Sequence, residues 1–543
     1  MKNVIRIAML AVGSMALSPS FGHGPDQPEQ APPLVTTAPL GSVRFPITGT
    51  DAHRERFERG LAYLHHMMYA LAEREFTALS VDAPDCAMAY WGIAMSRFHS
   101  LWVGRPSAGD YEAAAAALQK ARDVQGLTER EDAYIEAASA FYEDWATVDY
   151  ETRLARWEAG QRELHQHYPD DVDAATLYAL AHLATAPKGD HGVGHQKAAG
   201  ALLDDLFQRA PTHPGVLHYT IHAYDSAPLA ARAVVAARAY DKIAPAVPHA
   251  LHMPTHIFVR LGLWPDVIRW NARSARAALA FPAGDAISHH YPHALDYQVY
   301  ANLQCGQDER AGAVMEEMFA RRGFQKTAVA AYGLAAIPAR VALERGDWRQ
   351  AAALEVPQVG DFPWALFPQA EAITWFARGL GASRRGDASL ARTALAELDN
   401  RVVRLRAAGE DYWARLVDAE RQAVAAWLAL TVGEAGEALA MMSDAADAED
   451  SLDKHPVTPG AVLPARELYA DMLLRLDRPD EALVAYEQSL ANAPRRRNSL
   501  RGAAAAAKRT GRDNLAAEYV RRLEIQCEGT ERGQRASIQM ASP

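Results

Sequence analysis

The 543-residue sequence predicts an all-α protein, a solenoid in which pairs of helices stack one after another. Two observations support this fold class. Alanine-rich runs such as EAAAAALQKA and RGAAAAAKR favour helix, and the strand-like patterns are too short to form a sheet. Related residue patterns also recur about every 34 residues, a period typical of helix–turn–helix repeats.

The bulk composition limits the class of protein. A chain of 543 residues is too long for one compact core, which favours several domains or a repeat array. With 49% hydrophobic and 23% charged residues, the composition is that of a soluble globular protein. The net charge of −11, without a long basic run, makes nucleic acids and anionic membranes poor partners. After the N-terminus, no apolar stretch approaches the length of a membrane span.

The first 22 residues indicate a cleavable signal peptide. Lys2 and Arg6 lie at the start of a short apolar segment, IAMLAVGSMAL, and small residues follow in SPSFGHG. This pattern predicts a periplasmic or secreted protein. Residues 23–45 are rich in proline and are expected to form an extended linker.

The chain has three cysteines, Cys86, Cys305 and Cys527. Their number is odd and their spacing is wide, so the sequence does not indicate a disulfide framework, although export would permit one. Cys86 and Cys305 lie in helical patterns and are expected to be small core residues.

The repeat pattern is clearest in residues 60–84. A glycine, an aromatic residue, the pattern A-x3-F and a closing proline follow one another, as Gly60, Tyr63, Ala72, Phe76 and Pro84. This pattern resembles the tetratricopeptide-repeat (TPR) family. The segments HPGVLHYTIHAYD, YDKIAP, HALHMPTHIF and RLGLWPDVIRWN also resemble a group of bacterial exported TPR proteins. The resemblance implies a right-handed superhelical scaffold and carries no assigned catalytic residues.

The resemblance also divides the chain. We expect TPR-like repeats over 46–212, a histidine-rich central group of repeats over 213–325, and further repeats over 326–528. Residues 529–543 form a polar tail that we expect to be frayed.

Two histidine pairs are the strongest functional signal. His218/His222 and His252/His256 each have the spacing i, i+4, which places both side chains on one helix face. The second pair follows the first after 34 residues, so the two pairs occupy the same site on successive repeats. We therefore interpret them as one site copied across adjacent helices.

The family frame implies which residues line the concave groove. Positions 2, 5, 9, 12 and 13 of each repeat point into that groove in TPR proteins. The candidate ligand-binding residues at such positions are His218, His222, Asp225, His249, His252, His256, Arg260, His293, Asp296, Tyr300 and Arg340. An isolated arginine such as Arg340 could bind a carboxylate or phosphate, and the alternative is a solvated side chain.

Three interpretations of the histidine cluster remain open. The leading hypothesis is a binding scaffold that recognises a protein segment or a small molecule in the groove. The alternative is a metal-binding protein or metalloenzyme in which His218, His222, His252 and His256 hold zinc, copper or iron. The third is that the histidines are packing residues. The sequence contains no nucleophile elbow, phosphate loop, HExxH or CxxC motif, so it assigns no reaction.

Overall fold

A computed structural model of the chain describes residues 38–99, 101, 105–187 and 193–527. The predicted signal peptide, most of the predicted linker and the predicted polar tail lie outside these residues. The described part contains helices, turns and two isolated β-bridges but no strand. None of its helices has the length and apolar character that crossing a membrane requires.

The N-terminal part of the solenoid follows a short extended segment. In that segment the side chains of Leu40, Val43 and Phe45 are buried, so the end of the predicted linker belongs to the packed body. The helices of this part are α1 (Asp51–His65), α2 (Tyr69–Asp82), α3 (Ala87–Ser96), α4 (Ala108–Asp123), α5 (Glu129–Tyr142), α6 (Tyr150–His167), α7 (Val172–Ala184) and α8 (Gly194–Arg209).

The central part carries the histidine pairs. Its helices are α9 (Pro214–Tyr224), α10 (Val234–Ile243), α11 (Pro248–His252), α12 (Pro254–Arg260), α13 (Trp264–Ala278), α14 (His290–Gln304) and α15 (Asp308–Phe319). Helices α11 and α12 follow each other with only Met253 between them, because Pro254 has no N–H to continue the helical hydrogen bonds.

The C-terminal part continues the same architecture. Its helices are α16 (Ala328–Glu344), α17 (Trp348–Ala352), α18 (Pro368–Arg385), α19 (Ala388–Ala407), α20 (Asp411–Thr431), α21 (Ala435–Asp450), α22 (Ala465–Arg475), α23 (Pro479–Asn492), α24 (Arg497–Arg509) and α25 (Asp513–Ile525).

Small residues let neighbouring helices approach closely. The ring of Phe76 on α2 lies against Gly60 on α1 and Gly92 on α3. A Cβ atom would lie 2.8 Å from that ring at Gly60 and 2.3 Å from it at Gly92. These contacts explain why the repeat pattern alternates small and aromatic residues. Successive helices pack against each other throughout, so the fold is an all-α, TPR-like repeat solenoid.

Glycine also forms the tight turn between two helices of a repeat. Gly262 has a φ of +65°, a left-handed conformation that favours glycine. The N–H of Gly262 donates to Val259 O, and the N–H of Leu263 donates to Phe258 O at 2.8 Å, which ends α12. Gly306 and Gly346 occupy equivalent turns with φ values of +64° and +67°.

The C-terminal helices return to the central part, so the solenoid closes on itself. The indole N–H of Trp264 donates to the carbonyl of Arg495 at 3.1 Å. The neighbouring Arg496 guanidinium donates to the Tyr300 hydroxyl at 3.3 Å and to the Glu344 carboxylate at 2.7 Å. Arg496 is completely buried, so these bonds fix the approach of α24 to α14.

A disulfide strengthens this closure. Cys305 and Cys527 are bonded although 222 residues separate them, with Cα atoms 5.6 Å apart. The sequence did not indicate a disulfide, and the expectation that Cys305 is simply a small core residue is therefore wrong. Sequence spacing could not reveal the pair because only the return of the C-terminal helices brings the two cysteines together. Cys86 is a buried free thiol, as predicted.

Candidate metal centre

Three histidines from two neighbouring helices meet at the first candidate site, which we name trio A. His218 and His222 lie on α9, and His249 lies on α11. The Nε2 atom of His218 is 3.0 Å from that of His222 and 3.2 Å from that of His249. Three imidazole nitrogens therefore converge on one point.

The second site, trio B, repeats this arrangement one repeat later. His252 on α11 and His256 on α12 bring their Nε2 atoms within 3.0 Å of each other. His293 on α14 adds a third ring, whose centroid is 4.3 Å from that of His252. One nitrogen from each of the three lies within 4.8 Å of the others, and the same holds for trio A.

The two trios have the same arrangement of histidines in the sequence. Each combines an i, i+4 pair from one repeat with a single histidine from the first turn of a later helix. That single histidine directly follows a proline in both cases, Pro248 before His249 and Pro292 before His293. The repeat frame thus brings together the residues predicted for the site. It distributes them over two sites rather than one, which corrects the interpretation of a single copied site.

The protons of trio B lie on its outer nitrogens. The Asn271 amide donates its own N–H to Val267 O at 2.9 Å, so its oxygen faces His252. His252 must therefore donate Nδ1–H to Asn271 Oδ1, at 2.7 Å. His256 in the same way directs Nδ1 at the Asp225 carboxylate, at 2.9 Å. In the neutral rings both Nε2 atoms then carry lone pairs, and these face each other.

Asp225 is held as a carboxylate. Burial by itself would raise the pKa of Asp225, but the positive charges of Lys454 and Arg260 outweigh it and hold that pKa well below its usual range. Arg260 Nε lies 2.9 Å from Asp225 Oδ1, and Lys454 Nζ lies 3.6 Å from Oδ2. Asp225 and Arg260, both predicted site residues, therefore support His256 rather than bind a ligand directly.

Trio A has a comparable outer bond. His218 donates Nδ1–H to the carbonyl oxygen of His65 at 2.6 Å. This bond places the lone pair of His218 on Nε2, the atom that faces His222 and His249. The orientation of a histidine by an outer acceptor is the usual arrangement around metal-binding imidazoles.

Burial keeps the trio histidines neutral. It lowers the pKa of His252 and His218 well below 6.5, and the nearby histidines add to that effect. It lowers the pKa of His222 to about 3. For His256, burial lowers the pKa despite the opposing carboxylate of Asp225. At neutral pH each ring is therefore neutral, and one of its two nitrogens carries a lone pair that can bind an ion.

The histidines are enclosed rather than displayed on an open groove. His218, His252 and His256 are at most 2% exposed. Residues 451–464, which we name the strap, run without helix between α21 and α22 and lie against this region. The hydroxyl of Tyr297, whose ring contacts all three rings of trio B, bonds to strap carbonyls at 2.9–3.0 Å. The prediction of groove-facing positions overlooked this segment.

Three predicted site residues hold the strap and the closure instead of joining a trio. Arg340 is completely buried and forms an ion pair of 2.8 Å with the equally buried Asp296. Arg340 also donates to the hydroxyl of Thr458 and to the carbonyls of Gly460 and Ala461, at 2.8–3.0 Å. A solvated Arg340 is therefore ruled out, and the carboxylate that it binds belongs to the chain itself.

The hydroxyl of Tyr300 accepts a hydrogen bond from Arg496, so Tyr300 stabilises the contact between α14 and the C-terminal helices. Burial raises the pKa of Tyr300, so its hydroxyl stays protonated at neutral pH.

A third group of histidines was not recognised as a cluster from the sequence. His65 and His213 both direct Nε2 at Asp173 Oδ1, at 2.9 Å and 3.1 Å. The Tyr219 hydroxyl lies 3.1 Å from His65 Nδ1, and the N–H of Val216 donates to His213 Nδ1. We name this group the Asp173 cluster. No regular spacing links its members, so only the fold could reveal it.

Sequence reasoning also missed the residues that orient the trios, chiefly Asn271 and the strap residue Lys454. No pattern in the sequences of α12 and α13 indicated that Asn271 orients a histidine. Lys454 lies in the strap, and only the fold brings it to Asp225, which is 229 residues earlier in the chain.

Comparison with known proteins does not indicate a function for this chain. No family model and no curated protein matches the chain. Solved structures do match at low identity. The TPR domain of P58(IPK) is 13% identical, with a TM-score of 0.22, over 85% of this chain and 99% of that one. The human IFIT1 dimer with m7Gppp-AAAA is 11% identical, with a TM-score of 0.36, over 85% and 94%.

The Cut9 and Hcn1 hetero-tetramer of the APC/C is likewise 11% identical, with a TM-score of 0.25, over 91% of this chain and 96% of that chain. With identities and TM-scores this low, these matches support no conclusion about this chain. The all-α repeat solenoid is established by the packing of the helices themselves.

Proposed function

We propose that the protein is a metal-binding helical-repeat protein in which each histidine trio holds one transition-metal ion. The observation that carries this proposal is the pair of lone pairs facing each other across 3.0 Å in trio B. Two such atoms repel unless a cation lies between them. Because burial disfavours a proton there, a metal ion is the cation that fits.

The distances support this function. Three nitrogens bound tetrahedrally to one zinc ion, at about 2.0–2.1 Å each, lie about 3.3 Å apart. Three nitrogen pairs of the trios lie 3.0–3.2 Å apart, close to that value, and the other pairs lie within 4.8 Å. The ligands can therefore bind an ion with small side-chain movements.

The three imidazole ligands of each trio limit which metal ions it can bind. Three neutral imidazoles suit zinc or copper, and iron usually takes a carboxylate as well. Three protein ligands leave one coordination position open, as in catalytic zinc sites. The metalloenzyme alternative thus remains part of the proposal, with no reaction assigned.

We further propose that the protein works in an oxidising compartment, as the predicted signal peptide and the resemblance to bacterial exported proteins suggest. The Cys305–Cys527 disulfide supports this location, because structural disulfides persist outside the reducing cytosol. Detection of the mature chain in a periplasmic or extracellular fraction, cleaved near residue 22, tests this proposal. Retention of the uncleaved chain in the cytosol contradicts it.

The metal proposal is tested by loading the purified chain with zinc, removing free ions and measuring bound zinc per chain. We expect about two ions in the wild type and one in the His252→Ala/His256→Ala variant. The surface variant His167→Ala, whose ring lies on the exposed side of α6, is the matched control and should retain two. A wild type that retains no zinc after this treatment, and no copper when loaded in the same way, refutes the proposal.

Recognition of an extended segment is a second candidate function. The observation in its favour is that the groove already holds one, the strap, through side-chain bonds to its backbone. A chain with residues 453–461 replaced by a Gly/Ser linker should bind the free peptide DKHPVTPGA, and Arg340→Ala should weaken that binding. Absence of peptide binding by a folded linker variant rejects this function.

A further inference from the structure

We infer that trio A and trio B form one dinuclear centre, whose two ions share a short anionic ligand taken from solution. This inference rests on the proposed metal binding and goes beyond it, since two separate ions would satisfy that proposal equally well. Three features of the molecule support it: the helices that the trios share, the charge of their surroundings and the exposure of their ligands.

The first step is the helix that serves both sites. His249 belongs to trio A, and His252, three residues later, belongs to trio B. Residues with this spacing project from the same face, with Cβ atoms about 5–6 Å apart. The helical path continues beyond them, because the N–H of Met253 donates to His249 O at 2.9 Å. The two sites are thus one helical turn apart.

Helix α14 also contacts both trios through two histidines that are three residues apart. On α14, the ring of His290 lies 5.6 Å from that of His249, beside trio A. His293, three residues later, lies 4.3 Å from His252 in trio B. Both helices therefore separate the sites by one turn, which corresponds to about 5 Å. With about 2 Å for each metal–ligand bond, a ligand of two or three atoms spans the remaining gap.

The charge of the site indicates that this ligand is an anion. Both trios consist of histidines with no carboxylate among them, so two divalent ions would bring four positive charges into a buried region. Asp225, the carboxylate bonded to a trio histidine, is already paired with Arg260 and Lys454. Uncompensated charge is costly in such surroundings, so an anion with oxygen or nitrogen donors would stabilise the pair of ions.

The exposure of the ligands indicates where the anion enters. His222 of trio A is only partly buried, and so is His290, the histidine that lies against His249. His252 and His256 of trio B are almost completely buried. His293 of trio B is partly buried as well, so each trio has one histidine along which the anion reaches the ions, His222 in trio A and His293 in trio B.

The test uses Cu²⁺ as the metal and azide as the anion. The full chain is loaded with two copper ions, and the copper content and the electron paramagnetic resonance spin count are measured on the same sample, with and without azide. In a dinuclear centre the azide couples the two ions, so the spin count should fall to less than half of that for two independent Cu²⁺ ions. One azide should bind per two copper ions.

Variants in each trio provide the matched comparison. His256→Ala and His218→Ala should each hold one copper ion with its full spin count, which azide leaves unchanged. His252→Asn replaces His256→Ala if that variant does not fold. Two copper ions with a full spin count in the presence of azide overturn the dinuclear inference but leave the metal proposal standing. Failure to bind either copper or zinc overturns both.

Discussion

The Asp173 cluster and trio B are both buried groups of three polar side chains that could hold a metal ion, yet their hydrogen bonds differ. In the Asp173 cluster, the central carboxylate accepts from His65 and His213, and their outer nitrogens are also satisfied. In trio B the outer bonds use both Nδ1–H groups of His252 and His256, and two lone pairs are left facing each other.

The difference shows that proximity of histidines is a weak criterion for a metal site. The deciding feature is the direction of the outer hydrogen bonds, which determines whether the inner atoms are donors or acceptors. The Asp173 cluster is complete without an ion, and trio B needs a cation.

The largest effect is expected from Asp173→Ala. It leaves His65 and His213 without their buried acceptor, so we expect the free energy of unfolding to fall by about 3–5 kcal/mol. Urea unfolding measures this loss, and zinc content should stay unchanged. Asp444→Ala, an exposed control in the middle of α21, should change stability by no more than about 0.5 kcal/mol. If Asp173→Ala lowers the zinc content of a folded protein, the cluster is a metal site and the contrast fails.

The stabilisation of the fold by zinc should distinguish trio B from the Asp173 cluster. At a free concentration one hundred times the dissociation constant, each occupied site should add about 2.7 kcal/mol to the free energy of unfolding. His252→Ala should lose the share that comes from trio B and keep that of trio A. Thermal unfolding with and without zinc checks this. Equal stabilisation of the wild type and this variant argues against trio B.

Asp225→Asn should weaken metal binding without removing a ligand. Loss of a carboxylate that orients a metal-binding histidine typically costs 10–100-fold in affinity, or about 1.4–2.7 kcal/mol. Competition with a chelator measures the change. The control is Asp204→Asn, a carboxylate that bonds to Tyr224 and Arg232 away from the trios. An unchanged affinity in Asp225→Asn would mean that His256 is not a ligand.

The metal-free protein should lose stability in acid. Burial lowers the pKa of His66 and His455 to about 3. The unfolded chain binds protons below about pH 6.5 at these groups, and the folded chain does not until about pH 3. Stability is therefore fully present above pH 6.5 and falls towards pH 3, by about 1.4 kcal/mol per pH unit for each group. Urea unfolding across this range, with His66→Gln for comparison, should show a shallower slope in the variant.

The smallest effect is expected from Tyr297→Phe. The variant loses the hydroxyl bond to the strap carbonyls of Pro456 and Thr458, which contributes about 0.5–1.5 kcal/mol. Hydrogen exchange in residues 451–464 should become faster, and the zinc content should remain at the wild-type value. Loss of zinc in this variant would show that the strap holds the metal site together.

Much of the fold could be predicted from the sequence, because the repeat pattern is local. The glycine turns at Gly262 and Gly306 and the small-to-aromatic contacts of Phe76 follow directly from residue spacing. The return of the C-terminal helices could not be predicted. It depends on contacts such as Cys305–Cys527 and Arg496–Tyr300, which join residues far apart in the chain.

The candidate site was predictable only in part. The spacing identified both histidine pairs, and the repeat frame added His249 and His293. The division into two trios depends on the rotation of successive helices, and the outer acceptors such as Asn271 follow no pattern. The burial of the site depends on the strap, a stretch without repeat spacing.

The central claim, that the facing lone pairs of trio B hold a metal ion, is tested most directly by anomalous X-ray diffraction from crystals of the zinc-loaded protein. The account predicts an anomalous peak at about 2.0–2.1 Å from the Nε2 atoms of His252 and His256, with His293 as the third ligand. It predicts no peak at His65, Asp173 and His213. A zinc-loaded crystal without a peak in trio B, or with one in the Asp173 cluster, would contradict it.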